Sequence, residues 1–280
     1  MSAVALGGKE LAAAIRAETA ARAAELAAAG TAPKLAVVVA TADESSAWYV
    51  RSIAKAAEKA GISCDIVDLG AGAAVAAVRE TLVTLSADEA VHGIVLQTPL
   101  PAGAAPQDLA GAIAPGKDVD GASPVSLGRL VAGLPTFAPA TAEAVIGILD
   151  QHQVELSGRH AVVVGRSTVI GKPVAHLLLD RNATVTVCHS RTTNLAAVTS
   201  AADVVVVAVG RAGLITAQHV RRGAVVVDVG TNPTGDGGLV GDVDAASVAE
   251  RAAALTPVPG GVGPVTTALL LQHTVQAAAR

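Results

Sequence analysis

The fold of this chain is decided by one stretch, Val162-Val163-Val164-Gly165-Arg166-Ser167-Thr168-Val169-Ile170-Gly171-Lys172-Pro173. An apolar run ends there in a glycine turn, and residues 174–179 then begin a pattern typical of a helix. A second apolar run follows at residues 184–189. This order predicts a βαβ unit, which presents backbone N–H groups and a helix N-terminus to a phosphate. The stretch therefore favours an α/β fold with a dinucleotide site at Gly165.

Three known sequence motifs are similar to this turn, but the chain lacks a required residue of each. A Walker A loop is excluded because five residues separate Gly165 from Gly171, and Pro173 stands where Ser or Thr must hold magnesium. A nucleophile elbow is excluded because Val169 replaces its last glycine. The G-x-G-x-x-G fingerprint fails because Ser167 replaces the second glycine and the turn is longer. The βαβ order still favours a dinucleotide, and the alternative is a turn that binds no ligand.

The end of the second strand indicates which dinucleotide binds. NAD sites place Asp or Glu there, on the ribose hydroxyl. Here the strand ends in His189, Ser190 and Arg191, with no acid. Arg166 and Arg191 are both able to pair with a phosphate through two hydrogen bonds. The pattern predicts NADP as cofactor, and the alternative is that both arginines are only solvated.

Composition excludes several classes of protein. With 280 residues, 51% hydrophobic and 16% charged, the chain has enough apolar side chains for a sizeable core, and its length favours two domains. A net charge of -4, with no basic stripe, argues against a nucleic-acid partner. Two cysteines, Cys64 and Cys188, lack the spacing of a metal site. No metal is expected.

The sequence also predicts a cytoplasmic protein without a membrane partner. The N-terminus lacks a charged segment followed by an apolar one, as a signal peptide would have. Residues 252–279 carry no charged side chain, but Pro257, Pro259 and Pro264 exclude one continuous membrane-spanning helix. The free cysteines fit a reducing compartment.

Strand and helix patterns alternate along the rest of the chain. Before residue 100, apolar runs at 35–40, 62–69 and 92–96 are separated by helical patterns, which predicts a parallel sheet. A helix at 142–151 leads into the second set, whose later strands are expected at 203–209 and 224–229. Residues 256–264 are too rich in glycine and proline for a regular element, and a last helix is predicted at 265–279.

Several motifs in order carry a resemblance to a known family. They are Ser46-Ala47-Trp48-Tyr49-Val50, Gln97-Thr98-Pro99-Leu100-Pro101, Lys117-Asp118-Val119-Asp120-Gly121, Val164-Gly165-Arg166-Ser167, Cys188-His189-Ser190-Arg191-Thr192, Asp228-Val229-Gly230 and Pro259-Gly260-Gly261-Val262-Gly263-Pro264. Along nearly its whole length the chain resembles the bifunctional methylenetetrahydrofolate dehydrogenase/methenyltetrahydrofolate cyclohydrolase family.

The resemblance implies two α/β domains and two chemical steps. Residues 1–139 and 265–280 would form a folate-binding domain with a parallel sheet, to which the last helix returns. Residues 140–264 would form an NADP-binding Rossmann domain, with folate in the cleft between the two. A hydride would pass from 5,10-methylenetetrahydrofolate to NADP, and water would then open the methenyl cation. Members of this family are commonly homodimers.

The same resemblance assigns candidate site residues. Tyr49 would pack on the folate ring system, Gln97 would work beside a catalytic lysine, and Asp120 would accept hydrogen bonds from the pterin. The remaining substrate residues would be Ser46, Pro99, Leu100, Pro259, Gly260 and Gly261. The cofactor residues would be Gly165, Arg166, Ser167, Ile170, Gly171, Ser190, Arg191 and Thr231.

One departure concerns the second step. The family lysine lies four residues after the tyrosine, and here that position is Ile53. Lys55 lies six residues after Tyr49, roughly 120° away around a helix. A second departure is residues 140–144, Ala-Thr-Ala-Glu-Ala, where the family carries Cys-Thr-Pro-x-Gly.

The sequence therefore predicts an NADP-dependent dehydrogenase whose cyclohydrolase step is impaired or absent. One alternative is a fully bifunctional enzyme that uses a repositioned Lys55 or a water held by Gln97. A second is a family member that acts on another one-carbon pterin or on a pathway-specific substrate. A third is a cofactor-binding protein without turnover.

Overall fold

The computed structural model describes residues 3–235 and 237–280. The helices are α1 (Lys9–Ala28), α2 (Glu44–Lys59), α3 (Val75–Ala87), α4 (Pro106–Ala110), α5 (Pro124–Val131), α6 (Ala140–Gln151), α7 (Gly171–Asp180), α8 (Leu195–Thr199), α9 (Ala245–Ala249) and α10 (Val262–Ala278), with a 3₁₀ turn at Ala217–His219. The strands are β1 (Val4–Ala5), β2 (Lys34–Val39), β3 (Ser63–Asp68), β4 (Gly93–Leu96), β5 (His160–Val164), β6 (Thr184–Cys188), β7 (Val204–Val207), β8 (Val225–Asp228), β9 (Asn232–Pro233), β10 (Leu239–Val240) and β11 (Ala254–Leu255). In these described ranges, no helix combines the length and apolar character needed to cross a membrane.

The chain divides into two compact units. The first unit comprises Met1–Ala12 and Thr141–Thr266, and the second comprises Ala13–Ala140 and Thr267–Arg280. These bounds differ from the predicted domains at the N-terminus, because β1 pairs in parallel with β11 of the first unit. A two-residue strand carries too little periodicity to be recognised in the sequence.

The second unit is built on a parallel sheet in the order β3-β2-β4. Its central strand is buried along Leu35–Val39, as expected where helices cover both faces of a parallel sheet. One side of the core joins Ala36 and Val38 of β2 to Val78 and Leu82 of α3. Full burial of such a side chain contributes about 1.5–3 kcal/mol. This packing fixes the carboxyl ends of β2 and β4, from which the candidate loops start.

The first unit contains a parallel sheet in the order β1-β11-β8-β7-β5-β6. Strand β7 is four valines, all buried, as both faces of the sheet are covered. From β5 the chain reaches β6 on one side and later returns to β7 on the other side. Ligands of open α/β sheets bind beside the carboxyl ends of strands at such a switch point.

One predicted boundary is wrong. Residues 256–264 were expected to form no regular element, yet α10 begins at Val262 and includes Gly263 and Pro264. Proline is tolerated in the first turn of a helix, because the backbone N–H it lacks has no partner there.

Candidate active site

The turn after β5 is shaped by two glycines. Gly165 has φ +133°, and a Cβ on it would overlap the backbone of Ala208 at the end of β7. A Cβ on Gly171 would lie 2.5 Å from the carbonyl carbon of Gly165 and 2.8 Å from the nitrogen of Arg166. The turn is therefore closed on itself and against the neighbouring strand, with backbone where side chains would otherwise project. This is the shape that lets a pyrophosphate approach the main chain.

Ser167 occupies the position of the missing glycine and organises the start of α7. Its Oγ accepts hydrogen bonds from the N–H groups of Ile170 (3.1 Å) and Gly171 (3.2 Å). These are among the N–H groups that a helix N-terminus leaves without backbone partners. Ser167 thus aligns this N-terminus, whose partial positive charge favours an anion.

Two arginines follow neighbouring strands. Val164 of β5 pairs with Cys188 of β6, so Arg166 and Arg191 extend from adjacent strand ends. Both are exposed, and within the described ranges neither forms an ion pair. His189 and Thr192 fix the turn that carries Ser190 and Arg191, because His189 N donates to Thr192 Oγ1 and Arg191 N donates to His189 Nδ1. Two exposed guanidinium groups therefore follow the ends of adjacent strands.

Thr231 lies after β8, where two buried aspartates tie the loops together. Asp242 accepts hydrogen bonds from the N–H groups of Val209 (2.7 Å), Gly210 (2.9 Å) and Arg211 (2.8 Å) after β7. Asp228 accepts from the N–H groups of residues 230, 242 and 243. Burial raises the pKa of Asp228, while these backbone N–H groups lower it. The network holds the loops after β7 and β8 in place beside the glycine turn.

In the second unit, the start of α2 is joined to the loop after β4. Asp43 caps α2 by accepting from the N–H of Ser46 at 2.7 Å. Ser46 is buried, and its Oγ donates to the carbonyl of Thr98 at 2.9 Å. Gln97 Nε2 donates to the same carbonyl at 2.7 Å and to Ser46 Oγ at 3.4 Å. The structure thus brings Ser46 and Gln97 together and holds the loop that continues into Pro99 and Leu100.

Tyr49 and Asp120 influence each other's environment. Burial raises the pKa of Tyr49 to about 12, with a smaller contribution from the charge of Asp120. Burial likewise raises the pKa of Asp120 to about 7, followed by the charge of Asp118. A hydrogen bond from the backbone of Ala140 favours the ionised form of Asp120. The pair thus provides a neutral phenol beside a carboxyl group that titrates near neutral pH.

The loop that presents Asp120 is wrapped around Asp118. Asp118 is fully buried and accepts hydrogen bonds from the N–H groups of Ala122 (3.0 Å) and Ser123 (2.9 Å) and from Ser126 Oγ (2.5 Å). Gly121 has φ +60°, and a Cβ there would overlap the backbone of residues 137–139. No residue other than glycine fits this turn, so the position of Asp120 is set by its neighbours.

Residues 259–261 lie in the first unit. Gly260 accepts a hydrogen bond from Gly8 N at 2.9 Å, and a Cβ on Gly260 would lie 3.3 Å from Lys9 Cε. The predicted substrate residues are therefore divided: Ser46, Tyr49, Gln97, Pro99, Leu100 and Asp120 belong to the second unit, and Pro259, Gly260 and Gly261 to the first.

Comparisons with known proteins identify the family. A family model described as the catalytic domain of tetrahydrofolate dehydrogenase/cyclohydrolase matches residues 6–120. The model of the NAD(P)-binding domain of the same family matches residues 139–280. The chain belongs to the tetrahydrofolate dehydrogenase/cyclohydrolase family. The predicted family is thereby confirmed.

Individual members are similar over the full length of the chain. The bifunctional protein FolD 1 of Saccharopolyspora erythraea is 70% identical over 275 residues, covering 98% of this chain and 94% of the relative. The bifunctional protein FolD of Nocardia farcinica is 63% identical over 280 residues, covering 100% and 99%. The crystal structure of the bifunctional FolD of Campylobacter jejuni has a TM-score of 0.95 at 38% identity, covering 99% of each chain. The FolD structure of Trypanosoma brucei, complexed with NADP and an inhibitor, has a TM-score of 0.94 at 38% identity, covering 100% of this chain and 98% of that one. The predicted two-domain α/β fold is confirmed.

Ile53 is the position at which the sequence predicted a departure from the family. It follows Tyr49 by one helical turn on the same face of α2 and is 0% exposed. Lys55, two residues later on the same helix, is exposed. An isoleucine offers neither a lone pair nor a charge to a reaction.

Sequence reasoning missed Asp242 as a residue of the NAD(P)-binding domain. The motif at Asp228 is recognisable from the sequence, whereas its partner Asp242, 14 residues later, is not. The signal in the sequence is that Asp, Val and Gly occur together twice, first as Asp228-Val229-Gly230 and again as Gly241-Asp242-Val243. A Cβ on Gly241 would overlap the Asp228 carboxylate, and a Cβ on Gly230 would overlap Asp242. Asp228 therefore requires glycine at position 241, and Asp242 requires glycine at position 230.

Proposed function

We propose that the protein oxidises 5,10-methylenetetrahydrofolate to 5,10-methenyltetrahydrofolate with NADP and then hydrolyses the product to formyltetrahydrofolate. One observation carries the proposal: Asp120 and Tyr49 form a partly buried carboxyl–phenol pair inside the segment that matches the family's catalytic domain. A carboxylate is suited to two donors on the aminopyrimidinone edge of a pterin. The aromatic face of Tyr49 is suited to packing against the ring.

The residues of the NAD(P)-binding domain fit NADP. The glycine turn leaves room for a pyrophosphate at the start of α7, and Arg166 and Arg191 provide bidentate donors for a 2′-phosphate. No acid ends β6 to bind an unphosphorylated ribose. When bound, NADP supplies the hydride acceptor. The contribution of Gly165, Ser167, Ile170, Gly171, Ser190 and Thr231 is binding and orientation, because hydride transfer depends chiefly on placement.

The relatives favour inclusion of the hydrolysis step. Proteins 70% and 63% identical to this chain are named bifunctional. The expectation of an impaired cyclohydrolase is not supported by these comparisons, and the fully bifunctional alternative fits them better. A water held by Gln97 would give the bifunctional enzyme a route to hydrolysis that needs no amine at residue 53.

A dehydrogenase with slow hydrolysis is the second candidate, and Ile53 is the observation that favours it. A positioned acid or base contributes about 10²–10⁴-fold in rate. An amine one turn after Tyr49 would provide one, whereas the buried isoleucine does not. The dehydrogenase step is unaffected by this difference, because the electrons leave on the cofactor.

One spectroscopic assay distinguishes these candidates. Purified protein is mixed with methylenetetrahydrofolate and NADP, and the absorbance of the methenyl compound is followed as it forms and decays. Decay faster than in buffer, at a pace similar to formation, supports the bifunctional enzyme. Accumulation with decay at the rate seen in buffer supports the second candidate, and Ile53→Lys should then accelerate the decay. Absence of oxidation despite NADP binding would contradict the dehydrogenase and favour another substrate or a non-catalytic role.

We also propose a cytoplasmic homodimer, following the family pattern. Light scattering of purified protein tests the dimer, and a mass equal to one 27.5 kDa chain would contradict it. Fractionation of the source cells tests the location.

A further inference from the structure

A buried histidine on α10 contacts the backbone next to Asp120. His273 is 3% exposed, and its Nδ1 lies 2.8 Å from the carbonyl oxygen of Val119. A carbonyl oxygen only accepts, so Nδ1 carries the hydrogen in this contact. The imidazole is therefore attached directly to the peptide that precedes Asp120.

The ring is held on its face as well as at its edge. Phe137, the one phenylalanine of the chain, stacks on His273 with ring centroids 4.9 Å apart and an interplanar angle of 29°. The guanidinium carbon of Arg280 lies 4.5 Å from the centroid of the same Phe137 ring. Together, the hydrogen bond to Val119 and the stacking on Phe137 restrict rotation of the buried imidazole.

Within the part of the chain that the structure describes, ionisable groups on three elements act on Asp120 or respond to its charge. Asp118, in the same loop, opposes ionisation of Asp120 by its negative charge. His273, from α10, acts in the opposite sense and lowers the pKa of Asp120. Tyr49, from α2, is the third, and its raised pKa keeps it neutral in the physiological range. His273 is thus the facing side chain whose charge favours the carboxylate.

We propose that His273 is a positioning residue, which anchors the Val119 peptide and helps to keep Asp120 as a carboxylate for donors on the heterocycle of the substrate. The inference rests on the proposed function, since it concerns the same substrate. It assigns a role to a residue 153 positions away along the chain from Asp120.

The test is the pH dependence of kcat/KM for methylenetetrahydrofolate in His273→Asn, measured at saturating NADP. Asparagine retains an N–H donor for the Val119 carbonyl but cannot carry a positive charge. Nearby opposite charges shift a carboxyl pKa by about 1–3 units. We expect the ascending limb of the profile to move up by about one pH unit. At pH 6 kcat/KM should fall roughly tenfold, and at pH 9 it should return to within about twofold of wild type.

His152→Asn is the matched control. Its Nε2 lies 3.0 Å from the carbonyl of Gly7 in the first unit, so the same substitution alters the same kind of bond away from Asp120. Its profile should coincide with wild type. If His273→Asn does not fold, His273→Gln provides the same donor on a longer side chain.

The possible outcomes distinguish a failure of the role of His273 from a failure of the proposed function. An unshifted limb, or an equal loss at every pH, would overturn the role of His273 while leaving the proposed function intact. Wild-type protein that fails to oxidise the substrate at any pH would instead contradict the proposed function.

Discussion

At Gly165 and Gly171 the glycine turn is shaped by main chain that leaves no space for a Cβ, whereas the loop from Asp118 to Gly121 is shaped by the hydrogen bonds of the buried carboxylate of Asp118. In the first region the charged groups, Arg166 and Arg191, are exposed. In the second, Asp118 is fully buried and burial raises the pKa of Asp120 to about 7. Binding at the turn should therefore depend on shape and on salt, and binding at the loop should depend on pH.

The largest effect is expected from Gly171→Ala. The added methyl group would lie 2.5 Å from the backbone carbon of Gly165 and 2.8 Å from Arg166 N, and main chain cannot move aside as a flexible side chain can. We expect NADP affinity, measured by calorimetry, to fall by more than about a hundredfold, equivalent to roughly 2.8 kcal/mol.

Gly128→Ala is the control for this prediction. A Cβ at Gly128 meets no atom within 4 Å, so NADP affinity should not change. Unaltered NADP affinity in Gly171→Ala, with the fold retained by circular dichroism, would show that the turn is not the phosphate site.

Arg166→Ala should have a smaller, cofactor-specific effect. A hydrogen bond between charged groups contributes about 1.5–3 kcal/mol, so KM for NADP should rise roughly 10- to 150-fold, and KM for NAD should barely change. Raised salt should reduce the difference between wild type and variant, because the guanidinium is exposed. Equal losses with both cofactors would contradict a contact with the 2′-phosphate.

The last effect concerns stability rather than binding, and its sign follows from the raised pKa of Asp120. A pKa of about 7 in the folded protein, against roughly 3.9 when unfolded, means that the folded state binds more protons between these values. Ionisation of Asp120 therefore lowers the free energy of unfolding as pH rises from about 4 to 7, and above pH 7 this free energy decreases no further from this group. Asp120→Asn removes this decrease.

Thermal unfolding checks this sign. The Tm of Asp120→Asn minus that of wild type should increase by a few degrees between pH 4 and pH 8. A difference that is equal at both pH values, or that decreases, would show that Asp120 is not a destabilised carboxylate.

The two regions also differed in how far the sequence could predict them. The glycine turn is local: strand, turn and helix are adjacent, so periodicity and two glycines indicate the site, and alternation indicates the parallel sheets. The surroundings of Asp120 are not local. His273 meets Val119 across 154 positions, and Asp242 reaches the N–H groups of residues 209–211 across about 30. The local sequence around His273 or Asp242 does not predict these contacts, because a buried imidazole or carboxylate has many possible partners.

The pairing of β1 with β11 is not predictable from the sequence for a related reason. Val4 and Ala5 join β11 through backbone hydrogen bonds, which depend little on side-chain type. Ile53, by contrast, could be interpreted from the sequence, because its spacing from Tyr49 on one helix already fixes its face.

The most direct test of this contrast is to measure KM for methylenetetrahydrofolate and KM for NADP on the wild-type protein between pH 6.5 and pH 9. We predict that KM for the folate falls as Asp120 ionises, with a midpoint near pH 7, while KM for NADP changes by less than about twofold. In Asp120→Asn the folate KM should be high and should lose this pH dependence. A folate KM that is flat across this range in wild type, or two KM values that change together, would contradict the account.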